Sequence, residues 1–397
     1  MASPVAAAVE ATATPVVKPT VADKETDTVE NEVEAARESV QRGPAANEGS
    51  DEPMGEPKGG GDEHAEGGGR GSRGSRGGGG GGNCAPPEEF TSPVTDFEYI
   101  DFLISPGSQQ HSVIKPHGYI ILRPEVVGLN EGRGVPVYAP VDSTLVSVAF
   151  YRTNKETVDE FMLTFRVNCE VTYRFDHVRT VIDEIVVQMP DQPSSTSHDF
   201  RLNPTVEFKA GDIVGWTGGT GQAHAFDFGV YNTARTNQFA NPDRYVASYN
   251  FIALNADCGW EYFTAELRDQ YIPLLGTFAS GAMGRDTCRK PERDVVGTVA
   301  GAWFAPDSGI ESAFAIAAEI DGSVTMGARD FEVRVYADDP THRLPADITD
   351  LHCYEGAQMT AGTWAYLELL EDGRLAVAHG RGGCPAELPT DHEIYAR

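Results

Sequence analysis

VPVYAPVDSTLVSVAFY, residues 135–151, is the stretch on which the fold turns. It holds two β-branched apolar runs, 135–139 and 143–151, separated by Pro140, Val141 and Asp142. Runs this short, rich in Val and Tyr and bounded by Pro and Asp, read as strands. The same texture extends outward through GYIIL (118–122), EFMLTFRVN (160–168), EVTYRFD (170–176), TVEF (205–208), DIVGWT (212–217) and FDFGVY (226–231). Helical spacing interrupts it twice. In HVRTVIDEIVVQ (177–188), Val178, Ile182 and Ile185/Val186 fall on one face, and EYFTAELRDQYIPLL (261–275) forms the second such segment. An antiparallel β domain over residues 91–285 is expected.

Downstream the pattern restarts. Strands are expected at 296–305, 312–320, 323–327, 331–337, 363–371 and 374–380, the last two joined by Asp372-Gly373, a strong hairpin signal. Six strands in this length fit a small β-sandwich or barrel over residues 290–397. Trp303, Trp364, Tyr336 and Tyr366 are read there as core or edge aromatics. The fold class is therefore mostly β.

Upstream, residues 1–90 carry 17 acidic and 8 basic residues and almost no large apolar side chains. Such a segment cannot bury enough surface to offset its conformational entropy, so a disordered tail is expected. Its glycine tract, 14 glycines among residues 59–82, contains only three arginines and no aromatic residues. It reads as a tether, not an RNA-binding element.

The whole chain has 60 acidic and 31 basic residues, a formal net charge of −29. That argues against broad binding to nucleic acid or to an anionic membrane. No run of 18 apolar residues occurs, so no membrane span is expected. The Ala-rich N-terminus lacks the basic start of a clear signal peptide. The six cysteines form no CxxC pair. Cys258/Cys288 and Cys353/Cys384 stand about thirty residues apart and are expected to form disulfides, which points to an extracellular or cell-surface location. Cys169, in an apolar stretch, is expected to be a buried thiol.

Several fragments of the first domain occur in a telling order: His117-Gly118, VPVYAPVDSTLVSV (135–148), Asp176-His177 at a strand end, VEFKAGDIVGWTGGTG (206–221) and HAFDFGVYN (224–232). Across roughly residues 110–235 this order resembles the β-sheet core of the lysostaphin/LytM-type zinc peptidases, which cleave cell-wall peptides. The resemblance implies a zinc ligand at His117, another at His224 or Asp227, and an acid–base role for His177. It departs from the family where a carboxylate ligand should stand, because that position holds Ile121. A biotinyl or lipoyl carrier shares the paired hairpins but needs an exposed tip lysine, and Lys155 lacks that context.

A catalytic zinc needs three protein ligands and an open position for water. With one ligand lost, the degenerate domain implies a non-catalytic, exported binding or structural protein with no cofactor. Its partners would be a cell-surface glycan, peptidoglycan or another protein. The alternative is a divergent zinc-dependent metalloendopeptidase. Tyr231, Asn232, Arg244 and Tyr245, in and after the last strand, are the expected ligand contacts. Asp227 could instead bond backbone amides or pair with Arg244.

Overall fold

The computed structural model describes residue 84 and residues 88–152, 158–197, 200–246, 251–284, 288–306, 312–328 and 330–397. The expected disordered tail and its glycine tract lie outside the described residues, apart from Cys84 and residues 88–90. The described residues pack as one compact unit.

Alternation decides the architecture. Seven strands, Ile100–Ile104 (β1), Gly118–Leu122 (β2), Ser143–Tyr151 (β3), Glu160–Arg166 (β4), Val171–Val178 (β5), Phe200–Phe208 (β6) and Ala225–Asn232 (β7), form one antiparallel sheet in the order β1-β2-β7-β5-β4-β3-β6. An eighth strand, Ala256–Asp257, pairs with β7. Every second side chain goes into the same core: Val171, Tyr173 and Phe175 from β5, and Phe226, Phe228 and Val230 from β7. Phe165 stacks on Tyr173 with ring centroids 4.6 Å apart. Burying each such ring contributes about 2–3 kcal/mol. A three-stranded sheet of Val135–Tyr138, Ile213–Thr217 and Thr180–Val181 adds Val135, Val137, Val181 and Val214 to that core.

The helical spacing over 177–188 is overridden. Val178 pairs with Phe161, Thr180 and Val181 pair with Trp216 and Gly215, and only Asp183–Val186 is helical. Ladder bonds and burial outweigh a periodicity that three apolar residues can generate by chance. In the second segment, Ala265–Tyr271 is α-helical and turns into a 3₁₀ segment at Ile272–Leu274, where Pro273 cannot donate to a helix.

The C-terminal part holds two four-stranded antiparallel meanders. The first is Gly301–Phe304, Ser312–Ala318, Val324–Gly327 and Glu332–Val335. The second is Leu351–Glu355, Thr363–Leu369, Leu375–Arg381 and Glu393–Tyr395. Trp303, Phe314 and Val333 from one and Tyr354, Leu367 and Tyr395 from the other share one cluster, as in a sandwich. Gly373, at φ +81°, makes the turn at Asp372-Gly373. β1, Leu351–Glu355 and Glu393–Tyr395 are strands that the sequence pattern did not single out.

Three disulfides close the unit. Cys258–Cys288 and Cys353–Cys384 are paired as expected. Cys169 corrects its reading: it is exposed in the turn between β4 and β5 and bonded to Cys84. Its polar neighbours Asn168 and Glu170 mark a turn, which the apolar flanks concealed. No helix of the described residues is long and apolar enough to cross a membrane.

Candidate functional site

The site forms on the sheet face opposite the aromatic core, where β2, β7 and β5 lie side by side. Register places Asp227 between Tyr119 and Asp176, and Gly229 and Tyr231 opposite Arg174 and Thr172. Strict alternation would send Asp176 and His177 to opposite faces. A β-bulge prevents this. Phe161 pairs with Val178 and Leu163 with Phe175, so Asp176 and His177 together face the single residue Met162. His177 takes a left-handed conformation at φ +62°, at a cost on the order of 1 kcal/mol. Thr217 Oγ1 donates to the His177 carbonyl at 2.6 Å, and the His177 amide donates to Asp176 Oδ1 at 2.8 Å.

Four side chains then converge. Asp227 Oδ2 lies 3.0 Å from His117 Nε2 and 3.9 Å from His177 Nε2. Asp176, His177 and Asp227 each bring a potential ligand atom within 4.8 Å of the others. Behind them Glu160, fully buried, holds His177 Nδ1 at 3.1 Å, so the ring presents Nε2 to the site. Tyr151 donates to Asp176 Oδ1 at 2.6 Å. Asp227 Oδ1, Glu160 Oε2 and the Tyr231 hydroxyl are buried and have no hydrogen-bond partner among the described residues. A cleft of about 600 Å³ opens over the cluster, with His117, Asp176, Asp227, Arg174, Lys115 and Tyr231 in its lining.

No protein-family model matches the chain, and no match was found among curated proteins or solved structures. The chemistry of the site therefore rests on its own geometry.

The titration pattern follows from burial among like charges. Burial opposes a charge on His177, but Asp227, Glu160 and Asp176 outweigh it and carry its pKa up to about 10. Burial also opposes the Asp227 carboxylate, yet His117 and His177 draw its pKa down to about 2. Asp176 moves the other way, raised chiefly by burial and further by Asp227. Tyr231 rises to about 12, again chiefly through burial.

Of the residues singled out in the sequence, His117, Asp227 and Tyr231 line the cleft, and His177 lies beside it, with Nε2 3.9 Å from Asp227 Oδ2. His224 is not among the residues lining it. It sits at φ +49° in the turn before β7, where its carbonyl accepts from the Leu122 amide at 2.9 Å. Burial, reinforced by Arg179, lowers its pKa. Asp227 does not pair with Arg244, which lies 5.6 Å over the Phe304 ring. Tyr245 stacks on Phe239 at 3.7 Å and packs with Phe304 in a cluster joining the loop after β7 to the C-terminal sheets. Asn232 is buried, donating to the Tyr262 hydroxyl at 2.9 Å and accepting from the Ala234 amide. These three serve packing and turn formation.

Ile121 pairs with Ala225 and packs with Phe102, Ile104 and Tyr119, so hydrocarbon fills the position beside Asp227. Glu160, Asp176 and Tyr151 were missed by sequence reasoning. Asp176 was visible beside His177 as a carboxylate at a strand end, but the bulge that turns it inward was not.

The residues present fit a divalent cation with a ligand set of their own. Three carboxylates, Glu160 and Asp227 buried and Asp176 half-buried, face two imidazoles, so the carboxylates outnumber the rings. Buried charge of one sign is costly unless it is paired or bound to metal. Mixed imidazole and carboxylate donors suit zinc.

Proposed function

We propose that the cleft is a divalent-cation site, zinc being the best match, and that the protein is an exported metal-dependent hydrolase. The observation that carries this is the approach of His117 Nε2 and His177 Nε2 to one oxygen of Asp227, at 3.0 and 3.9 Å, with Asp176 within ligand reach of His177 and Asp227. The three disulfides support export, because such bonds persist in oxidising compartments. The order of sequence fragments supports a peptide-like substrate of the kind found in cell walls.

His117, His177 and Asp227 would hold the ion, with Asp176 completing the set. A bound zinc lowers the pKa of water and polarises a carbonyl. The chain's own groups do the remaining work. Glu160 fixes which nitrogen His177 turns inward, the outer support that metal-ligating histidines characteristically have. Tyr151 does the same for Asp176, leaving its second oxygen to accept a proton. The open cleft admits an extended chain over the β5 and β7 edge of the cluster.

Protein purified without added zinc and analysed for metal should contain close to one ion per chain. His117→Ala and Asp227→Asn should abolish that content while thermal unfolding stays cooperative. Loaded protein should release amines from purified peptidoglycan. A specific observation favours a second reading: Ile121 occupies the family's carboxylate position, as it would in a binding protein that has given up hydrolysis. Metal-free protein that binds peptidoglycan without cleaving it would establish the second reading and sink the first.

A further inference from the structure

Gly229 stands between Asp227 and Tyr231 on the cleft face of β7, opposite Arg174. A side chain there has no room. An added Cβ would fall 2.5 Å from the Tyr231 hydroxyl, 2.9 Å from its Cζ and 3.0 Å from His117 Cβ. The Tyr231 ring therefore folds back along its own strand, over Gly229, and carries its hydroxyl toward His117 and Asp227. Tyr231 is 7% exposed. Its hydroxyl and Asp227 Oδ1 lack hydrogen-bond partners among the described residues, and both residues line the cleft. Arg174 lies 5.9 Å over the Tyr231 ring, and Lys115 lines the same side.

Two buried polar atoms without a partner, an acceptor and a hydroxyl, are a costly arrangement in a folded protein unless something binds there. The flanking positive charges favour an oxygen-bearing, electron-rich ligand group on the Tyr231 side. We infer that Tyr231 is a ligand-contacting residue, its hydroxyl donating to the carbonyl or carboxylate oxygen of an acyl ligand placed against the cation site, and that Gly229 is the cradle that lets it do so. This rests on the cation reading above and adds the part of the ligand that the chain recognises.

Cobalt-loaded protein titrated with acetohydroxamate, followed through the visible cobalt bands, tests it. Tyr231→Phe keeps the ring and removes only the hydroxyl. It should take up cobalt with the unliganded spectrum of the wild type and bind acetohydroxamate about tenfold more weakly, the loss expected for one hydrogen bond to a charged acceptor. Gly229→Ala should weaken the probe at least as much by displacing the ring. Should Tyr231→Phe fail to fold, Tyr231→His, which returns a donor on a shorter ring, should retain more affinity than Tyr231→Leu. Equal probe affinity in wild type and Tyr231→Phe, with cobalt content unchanged, overturns this inference and leaves the cation site standing. Wild-type protein that takes up no cobalt removes both.

Discussion

His177 is the residue whose replacement tests the electrostatics of the site most directly. Asn is the substitution of choice because it tolerates the left-handed backbone found at this position, φ +62°. In metal-free protein the His177 pKa stands at about 10 against an ordinary 6.5. Raising a folded-state pKa stabilises the fold wherever the ring is protonated there but not in the unfolded chain. The contribution is fully present below pH 6.5 and is lost as pH rises through 10. Its ceiling is roughly 5 kcal/mol, and at pH 7 linkage leaves about 4 kcal/mol. The side chain is 26% exposed, so solvent screening reduces the expected value to about 2–4 kcal/mol. Urea unfolding of chelator-treated wild type and His177→Asn at each pH from 6 to 10, with disulfides intact, measures it. The difference in unfolding free energy should be largest at or below pH 7 and nearly gone at pH 10. A difference that stays constant across that range would refute the protonated ring among the three carboxylates that the cation argument uses.

Glu160→Gln keeps the shape of the partner behind His177 but removes its charge. The His177 pKa should fall, shown by an NMR titration of the ring, and metal affinity should drop about 10- to 100-fold, as for other outer partners of ligating histidines. Ile121→Asp, which introduces the carboxylate that the lysostaphin/LytM resemblance would require, should not improve metal binding. It should destabilise the fold by about 2–4 kcal/mol, because its site is the hydrocarbon cluster with Phe102, Ile104, Tyr119 and Ala225. Calorimetry and metal analysis on one preparation read both effects. Opening the Cys258–Cys288 loop, with its sequence separation of 30, by paired Ser substitution should cost about 3–4 kcal/mol in unfolding free energy. Alkylation of native protein followed by mass analysis should find no free thiol, and alkylation after reduction should label all six cysteines.

Much of the frame was legible because burial writes itself into alternation. GYIIL and STLVSVAFY match β2 and β3 residue for residue, since strand length and turn residues leave little freedom there. The site was less legible for a geometric reason. Asp176 and His177 are neighbours in sequence, and a regular strand would place them on opposite faces. Only the bulge across from Met162 brings both inward, and nothing in RFDHV announces it. The disulfide at Cys169 failed similarly: its partner, Cys84, precedes it by 85 residues, beyond any local signal.

The same register gives Ile121 a different meaning. Read along the chain through the lysostaphin/LytM resemblance, Ile121 stands where a carboxylate ligand would be expected. Read across the sheet, Ile121 faces Ala225, and two small steps along the strands Asp227 lies between Tyr119 and Asp176. The apolar pair occupies one rung and the paired carboxylates the next, about 7 Å away. A site that had merely decayed would have no reason to keep two carboxylates and two imidazoles desolvated together, since each unpaired buried charge costs stability and drift would replace it with hydrocarbon. Here hydrocarbon fills the Ile121 rung, while the neighbouring rung keeps its charge and gains outer partners in Glu160 and Tyr151. On the reading proposed above, that asymmetry supports ligand binding in the cleft, and the cation would lie two residues along the strands from Ile121.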